Sequence, residues 1–166
     1  MWRRLMASEA PAAVVLVRLL VGAVFLSEGI QKFLFADQLG AGRFATIGLP
    51  APELLGPVVG TFEIVCGSLV LLGLVTRLAV VPLLVIMAVA IATTKWPMLA
   101  DRGFWTMAHE ARTDWSMFLG SLFLLIVGAG RWSIDRRWVG TRNHPTIRKP
   151  AVAKWPSNAK ATRIRR

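Results

Sequence analysis

The sequence predicts an all-α, polytopic membrane protein built as a four-helix transmembrane bundle with both termini in the cytoplasm. Hydrophobic residues make up 55% of the chain and the mean hydropathy is +0.55, whereas soluble domains are about 45–50% apolar even with glycine counted. Four apolar runs, separated by polar connectors, approach the roughly 20 residues that a bilayer-spanning helix needs. We therefore expect a membrane domain over residues 1–138 and a basic, disordered cytoplasmic tail over residues 139–166.

The first apolar run, residues 11–34, contains the charged residues Arg18, Glu28 and Lys32 within an otherwise apolar segment. At about 100° per residue, these charges lie on or beside the helix face that also carries two glycines. A charged side chain facing lipid costs about 2.5–3.5 kcal/mol on insertion scales, so we expect this face to point at other helices. Arg18 interrupts the apolar region and no small-x-small site precedes Glu28, which favours an uncleaved first span over a signal peptide.

The second and third runs, residues 54–76 and 78–94, are joined by a short turn and predict a helical hairpin. Glu63 is the charged residue within the second run, and glycines share its helix face at a spacing that lets helices approach closely. A carboxylate at this depth is a functional candidate by default. The fourth run, residues 115–130, is slightly short for a span, but tryptophans at both ends can lie at the membrane interfaces.

Basic residues predict the orientation of these spans. The N-terminal arginines, the hairpin turn at Arg77 and the basic tail fall on one side of the membrane if there are four spans. The positive-inside rule places that side in the cytoplasm. The two connectors, residues 35–52 and 95–114, then face outward.

The charge distribution and the residue counts exclude several classes of function. The net charge of +11 comes mainly from residues 131–166, which contain eleven Lys or Arg and one acid. Such a tail is typical of binding to anionic lipid headgroups, and we expect no nucleic-acid partner. With Cys66 as the single cysteine and only His109 and His144 as histidines, we expect no disulfide couple, no bis-histidine haem and no metal site within one chain.

Two polar groups are predicted within or beside the membrane. We predict that Arg18 reaches across to Glu63 and forms a buried pair, because Arg is long and otherwise unpaired. A second cluster is expected at the outer mouth of the bundle and contains Glu28, Lys32, Lys95, His109, Glu110, Arg112 and Asp114. Each group has a structural alternative, since a buried ion pair can simply fix helix register and a charged connector can be a solvated loop. The sequence assigns no catalytic residue.

The outer cluster suggests one ligand if it borders a gap between helices. A quinone headgroup would suit such a place, because its carbonyls need hydrogen-bond donors such as Lys32, Lys95 and His109. Its reduction also needs proton carriers, for which Glu28, Asp114 and His109 are candidates. Quinone is therefore the possible cofactor.

Several segments resemble the DoxX family of small bacterial membrane proteins. They are R-L-L-V-G-A-V-F-L-S-E-G-I-Q-K-F (residues 18–33), Glu63 in the second run, G-L-V-T-R (residues 73–77) and G-A-G-R-W-S-I-D (residues 128–135). The resemblance covers residues 14–138 without a large gap. It implies a four-helix, multi-pass protein of the bacterial inner membrane that is associated with oxidoreductase systems. A related subunit, DoxD, belongs to thiosulfate:quinone oxidoreductase, and other members are linked to oxidative-stress defence.

Three functional hypotheses remain open at this point. The first is an auxiliary subunit of a membrane-associated oxidoreductase or oxidative-stress system, with quinone at the outer mouth. The second is a non-catalytic membrane scaffold for a soluble partner, and the third is a small-solute or proton pathway. Whether the chain has a reaction of its own, and its oligomeric state, stay open.

Overall fold

The computed structural model describes residues 11–136, and the predicted tail over residues 139–166 lies outside this range. Within it the chain is helical and forms no strand, so the all-α prediction is confirmed. The helices in chain order are α1 (Val14–Leu34), α2 (Ala36–Leu39), α3 (Ala41–Thr46), α4 (Pro52–Leu72), α5 (Thr76–Ala90), α6 (Trp96–Arg102), α7 (Phe104–Glu110) and α8 (Arg112–Val127). A π-helical segment, Ile91–Lys95, joins α5 to α6 without a break.

Three of the described helices are long and apolar enough to cross a membrane. They are α1, α4 and the continuous helix Thr76–Arg102 that combines α5, the π-helical segment and α6. The last helix, α8, has 16 residues and is about 24 Å long at 1.5 Å per residue, whereas the hydrocarbon core is about 30 Å thick. The four-span count and the placement of the termini therefore stay predictions.

Helices α1 and α4 pack against each other through glycines, as antiparallel neighbours. A Cβ atom added to Gly67 would lie 2.8 Å from the backbone nitrogen of Leu26 and 3.0 Å from the carbonyl oxygen of Gly22. A Cβ atom added to Gly29 would lie 2.7 Å from the carbonyl oxygen of Gly60. Two backbones can approach this closely only where side chains are absent. These contacts fix the register of the two helices.

The apolar core lies where α5 and α8 close the bundle against α1 and α4. Its fully buried side chains come from all four helices and include Val21, Phe25, Val70, Val80, Leu83 and Leu124. Side chains on the outward faces of the same helices, such as Leu16 and Ile126, are exposed. A membrane helix is expected to be apolar on both faces, so the sequence alone does not separate core from perimeter.

The turn between α4 and α5 defines one end of the bundle, called here the hairpin end. Gly73 ends α4 with φ +67°, a left-handed conformation that glycine adopts without strain. Val75 follows with φ +48°, which is unusual for a β-branched residue. The Asp135 carboxylate accepts hydrogen bonds from the backbone N–H groups of Val75 (2.8 Å) and Thr76 (3.4 Å). The chain after α8 thus returns to hold the turn in this conformation.

The opposite end, called here the connector end, carries the short helices α2, α3, α6 and α7. Helix α3 lies close to the start of α4, because a Cβ atom added to Gly56 would be 2.8 Å from the backbone nitrogen of Ala41. On the other side, Pro97 is the second residue of α6. Proline lacks an N–H group and its ring collides with the carbonyl four residues earlier, here that of Thr93. The widened π-helical turn over Ile91–Lys95 accommodates this collision.

Candidate ligand cavity

A cavity of about 550 Å³ lies at the connector end, between α1, α3, α4, α5 and α8. Most of its wall is apolar and comes from residues such as Phe25, Phe44, Val59, Ile86 and Met117. Charged side chains interrupt this wall, namely Glu28, Lys32, Arg43, Glu63, Lys95, Glu110 and Asp114. An apolar cavity of this size with a few convergent polar groups is the usual form of a small-molecule site.

One ion pair in the wall joins α1 to α4. The Lys32 ammonium lies 2.7 Å from Oε2 of Glu63 and 3.9 Å from Oε2 of Glu28. The side chains of Glu63 and Lys32 are 4% and 11% exposed, whereas that of Glu28 is 51% exposed. Lys32 therefore stands between a buried carboxylate and a carboxylate that is accessible from the connector end.

A second ion pair in the wall joins the π-helical segment to α8. The Lys95 ammonium lies 3.0 Å from Oδ2 of Asp114 and donates a hydrogen bond to the carbonyl oxygen of Glu110 at 3.2 Å. Lys95 is the last residue of the π-helical segment, so the widened turn sets the direction in which its side chain leaves the helix. The two lysines reach the same cavity from different helices.

The structure corrects the predicted pair between Arg18 and Glu63. Both side chains are buried, but Glu63 pairs with Lys32 and Arg18 lies at the hairpin end. The antiparallel register set by the glycines places Arg18 opposite Leu71 and Glu63 opposite Leu26. The two positions are thus separated by about two helical turns, or roughly 12 Å.

The Arg18 guanidinium donates its hydrogen bonds to main-chain carbonyl oxygens. The acceptors lie at the end of α4 and in the chain after α8, namely Val70, Leu71, Ala129 and Trp132. Arg18 also experiences Coulombic attraction from Asp135, which holds the hairpin turn. Arginine can satisfy this many acceptors because its planar fork carries five N–H donors. The group fastens three parts of the chain together and lies outside the cavity lining.

The outer cluster predicted from the sequence is brought together in part. Glu28, Lys32, Lys95 and Asp114 all line the cavity, as does Glu110. His109 does not line it: the ring is exposed, and its Nε2 atom lies 2.6 Å from a guanidinium nitrogen of Arg112. A position in a connector places a side chain near the mouth of the cavity. The orientation of the short helix that carries the side chain decides whether the side chain faces the cavity.

Sequence reasoning missed four polar residues of the cavity and the role of Asp135. Arg43, Thr93, Thr94 and Thr113 line the cavity, and Thr93 and Thr94 lie in the π-helical segment. The available signal was the Thr-Thr-Lys-Trp-Pro sequence, because a proline inside a long apolar run predicts a disturbed turn just before it. Within residues 11–136, no group of His, Cys, Asp or Glu is arranged to hold a metal ion.

Comparison with known proteins gives the following matches. A protein-family model described as DoxX matches residues 13–96. An uncharacterized membrane protein of Mycobacterium tuberculosis is similar to this chain, with 58% identity over 142 residues, covering 82% of this chain and 87% of its own length. No solved structure matches. The family match includes α1, α4, α5 and the π-helical segment, and so covers both lysines of the cavity.

Proposed function

We propose, from the premise that this chain belongs to the DoxX family of membrane proteins, that it binds a quinone headgroup in the connector-end cavity. In this proposal the protein serves as an auxiliary membrane subunit of an oxidoreductase or oxidative-stress system. The observation that carries the proposal is the pair of lysines, each held by a carboxylate, in the wall of one apolar cavity.

The chemistry of the wall suits a lipid-soluble ligand with a polar head. Aromatic and aliphatic side chains can cover a ring and the start of an isoprenoid tail, and the volume of about 550 Å³ lies within the usual range for small-molecule sites. Lys32 and Lys95 each keep an N–H group beyond those used for their carboxylate and carbonyl partners. These two donors can bind the two carbonyl oxygens of a quinone.

The charge balance favours a neutral headgroup over an anion. Each lysine has a carboxylate oxygen within 3.0 Å, so the positive charge of both lysines is already compensated. An anion at either lysine would lie beside a carboxylate that already compensates the charge of that lysine. A neutral carbonyl compound can bind without breaking either pair.

The proposal includes a topology of four crossings in the bacterial inner membrane, with both termini in the cytoplasm. Helix α8 is short, but Trp115 and Trp132 near its two ends are 46% and 70% exposed and can anchor it at the two interfaces. The connector end, with the cavity, would then face away from the cytoplasm. A Cys66→Ser background allows single cysteines to report the orientation of Gly48 and Leu74 towards an impermeant thiol reagent. Labelling of Gly48→Cys in intact cells, and of Leu74→Cys only in opened membranes, is expected; the reverse pattern would contradict the topology.

The binding proposal is tested with the purified full chain in lipid nanodiscs and the soluble analogue decylubiquinone. Saturable binding by calorimetry is expected, with Lys32→Met and Lys95→Met each weakening it by about tenfold or more, since a hydrogen bond from a charged donor contributes about 1.5–3 kcal/mol. Glu63→Gln and Glu53→Gln make the same substitution on α4. Because only Glu63 of these two residues lines the cavity, Glu53→Gln is the control. Absence of saturable binding, or unchanged binding in both lysine variants, would refute the proposal.

One observation favours a proton pathway as the second candidate. Glu63, Lys32 and Glu28 form a ladder of ionisable groups from a buried carboxylate to a half-exposed one. Proton flux into liposomes that is lost in Glu63→Gln, together with no quinone binding, would support this candidate. The scaffold hypothesis would instead be supported by stable co-purification with an oxidoreductase in the absence of both activities.

A further inference from the structure

We infer, resting on the proposed function, that the cavity opens sideways into the bilayer between α4 and α5, and that the apolar chain of its ligand leaves the cavity through this opening. The edges of the opening, called here the lateral opening, are Leu55 and Val59 on α4 and Val85 and Val89 on α5. The inference makes the ligand a chain-bearing lipid that enters the cavity from the membrane.

Three valines on one face of α5 locate the lateral opening. Val81, Val85 and Val89 are spaced four residues apart, so they lie along one stripe of the helix, and they are 45%, 59% and 44% exposed. Val81 does not line the cavity, so it is exposed on the outer surface of the bundle. Val85 and Val89 share this outward stripe and also line the cavity. They therefore form an edge at which the cavity meets the outer surface.

The facing edge comes from α4. Leu55 and Val59 line the cavity and are half-buried, whereas the neighbouring Val58 is exposed and lies outside the lining. Val70 is three helical turns beyond Val59 on the same face, and there the side chain is fully buried in the core that α5 shares. The two helices thus pack together near their hairpin turn, and the lateral opening is confined to the part nearer the connector end.

The other helix pairs along this wall are joined more firmly. Helices α1 and α4 are in close contact at the glycines along their length. Helices α5 and α8 are joined near both ends: Arg77 donates a hydrogen bond to the carbonyl oxygen of Ile126 at 2.9 Å, and the Lys95 ammonium lies 3.0 Å from Oδ2 of Asp114. The boundary between α4 and α5 is therefore the one that suits a path for the chain.

The remaining exposed residues of the cavity lining are all polar. They are Glu28 of α1, Arg43 of α3, Glu110 of α7 and Thr113 of α8. A hydrocarbon chain lying over these groups would remove them from water without offering a hydrogen bond, which is costly. This polar part of the lining suits contact with water, and the lateral opening is left as the path for a chain.

The lateral opening lies at a depth where acyl chains surround the protein. Both α4 and the continuous helix Thr76–Arg102 are long and apolar enough to cross a membrane. The helix rises about 15 Å from Val85 to Lys95 at 1.5 Å per residue, which is about half of the roughly 30 Å hydrocarbon core. A chain that leaves through the lateral opening therefore enters the bilayer directly.

The lateral opening acts by letting the chain stay in lipid. A hydrocarbon chain gains little when it moves from the bilayer to an apolar groove, because both surroundings are equally apolar. A cavity of about 550 Å³ suits a small molecule, so a long isoprenoid chain has to extend beyond it. With the lateral opening, the headgroup reaches Lys32 and Lys95 while the chain remains among acyl chains.

The experiment compares decylubiquinone with the same benzoquinone headgroup lacking the chain, both measured by calorimetry with the full chain of the protein in nanodiscs. Val85→Trp and Val89→Trp each place an indole ring in the lateral opening. We expect each to weaken decylubiquinone binding by about tenfold or more, and to change the dissociation constant of the chain-free quinone by less than about twofold. Val81→Trp is the matched control on the same stripe, outside the lining, and should change neither.

A photoreactive group on the decyl chain gives a second measurement with the unsubstituted protein. We expect crosslinks to the four residues of the lateral opening, and excess decylubiquinone should prevent them. Crosslinks that form instead beside Glu28 and Thr113 would overturn the inference. Crosslinks at the lateral opening that excess decylubiquinone does not reduce would assign it to acyl chains of ordinary lipid, and would also overturn the inference.

The binding results separate this inference from the proposed function. Unchanged decylubiquinone binding in Val85→Trp and Val89→Trp, or an equal loss in Val81→Trp, would overturn the inference and leave quinone binding in place. Equal losses for both quinones in Val85→Trp and Val89→Trp would show that these positions shape the headgroup site, and would overturn it too. If the unsubstituted protein binds neither compound, the proposed function is refuted and the inference with it.

Discussion

At the hairpin end of the bundle a buried charge is met by main-chain carbonyl oxygens, whereas at the connector end buried charges are met by each other beside an open cavity. Arg18 uses its guanidinium to hold four carbonyls from two separate segments. Lys32 and Lys95 pair with carboxylates from neighbouring helices and line a cavity of about 550 Å³. Both arrangements satisfy a charge away from water, but only the second leaves space for a ligand.

The difference between the two ends shows that a charge within a membrane helix does not by itself indicate function. Arg18 and Lys32 lie on the same helix and almost the same face, and each is costly to leave unpaired. What separates them is the surrounding volume: Gly73 lies so near the guanidinium that an added Cβ atom would be 2.5 Å from its central carbon. The hairpin end is filled by protein atoms and leaves no space for a ligand. We therefore assign a stabilising role to the hairpin end and a binding role to the connector end.

The largest expected effect comes from removing the guanidinium group at the hairpin end with Arg18→Met. The variant leaves four carbonyl oxygens, two buried and two partly buried, without their donor, and each unsatisfied buried group costs about 1–3 kcal/mol. We expect the free energy of unfolding to fall by about 4 kcal/mol or more, measured by thermal or denaturant unfolding in detergent. Arg43→Met is the control, because Arg43 is exposed and should change stability by less than about 0.5 kcal/mol. Equal stability of the two variants would contradict the structural role of Arg18.

The next effect separates stability from binding at the connector end. Lys32→Met leaves the Glu63 carboxylate buried without its partner, and breaking such a pair costs about 3–5 kcal/mol. The double variant Lys32→Met/Glu63→Met should recover most of this loss, since apolar groups often replace a buried pair at little cost. Decylubiquinone binding should stay lost in the double variant. Recovery of both stability and binding would mean that the pair only fixes helix packing.

A smaller effect on stability is expected when the tight packing of α1 on α4 is changed by a glycine-to-alanine substitution towards either end of the helix pair. In Gly67→Ala the new methyl group would meet backbone atoms of Leu26 at 2.8 Å, which cannot move independently. In Gly60→Ala it would first meet the ring of Phe33, which is half exposed and can shift. We expect Gly67→Ala to lower the free energy of unfolding by about 2 kcal/mol. For Gly60→Ala, a gain in helix propensity of about 1 kcal/mol should nearly offset the contact.

A larger loss in the free energy of unfolding for Gly60→Ala than for Gly67→Ala would contradict this description of the packing. It would indicate that the connector end is as tightly filled as the hairpin end, and the contrast between them would disappear. Both variants are compared by the same unfolding measurement.

The smallest effect is expected for His109, which belongs to the predicted outer cluster but lies outside the cavity lining. His109→Ala should change the dissociation constant for decylubiquinone by less than about twofold, whereas Lys95→Met should change it by about tenfold. A tenfold loss in His109→Ala would show that the ring reaches the ligand after all. The cavity would then have to extend beyond the residues that line it in this structure.

The composition and the spacing of apolar residues were sufficient to predict the class of fold. Helices α1, α4 and α5 begin and end within four residues of the predicted runs, because a continuous apolar stretch in a membrane has to satisfy its backbone hydrogen bonds within the helix. Five of the seven residues predicted for the outer cluster line one cavity, since both connectors meet at that end. The DoxX resemblance, stated from four short segments, is confirmed by the family match and the mycobacterial relative.

The amino-acid sequence by itself thus determined that the chain is an all-helical membrane protein and which charged residues turn inward. Only the tertiary structure decided their partners. The register of α1 on α4 depends on backbone contacts at glycines. In this register Glu63 lies about two helical turns from Arg18 and pairs with Lys32 instead. The carbonyl acceptors of Arg18 and the π-helical turn that aims Thr93, Thr94 and Lys95 are main-chain features, which side-chain patterns do not encode directly.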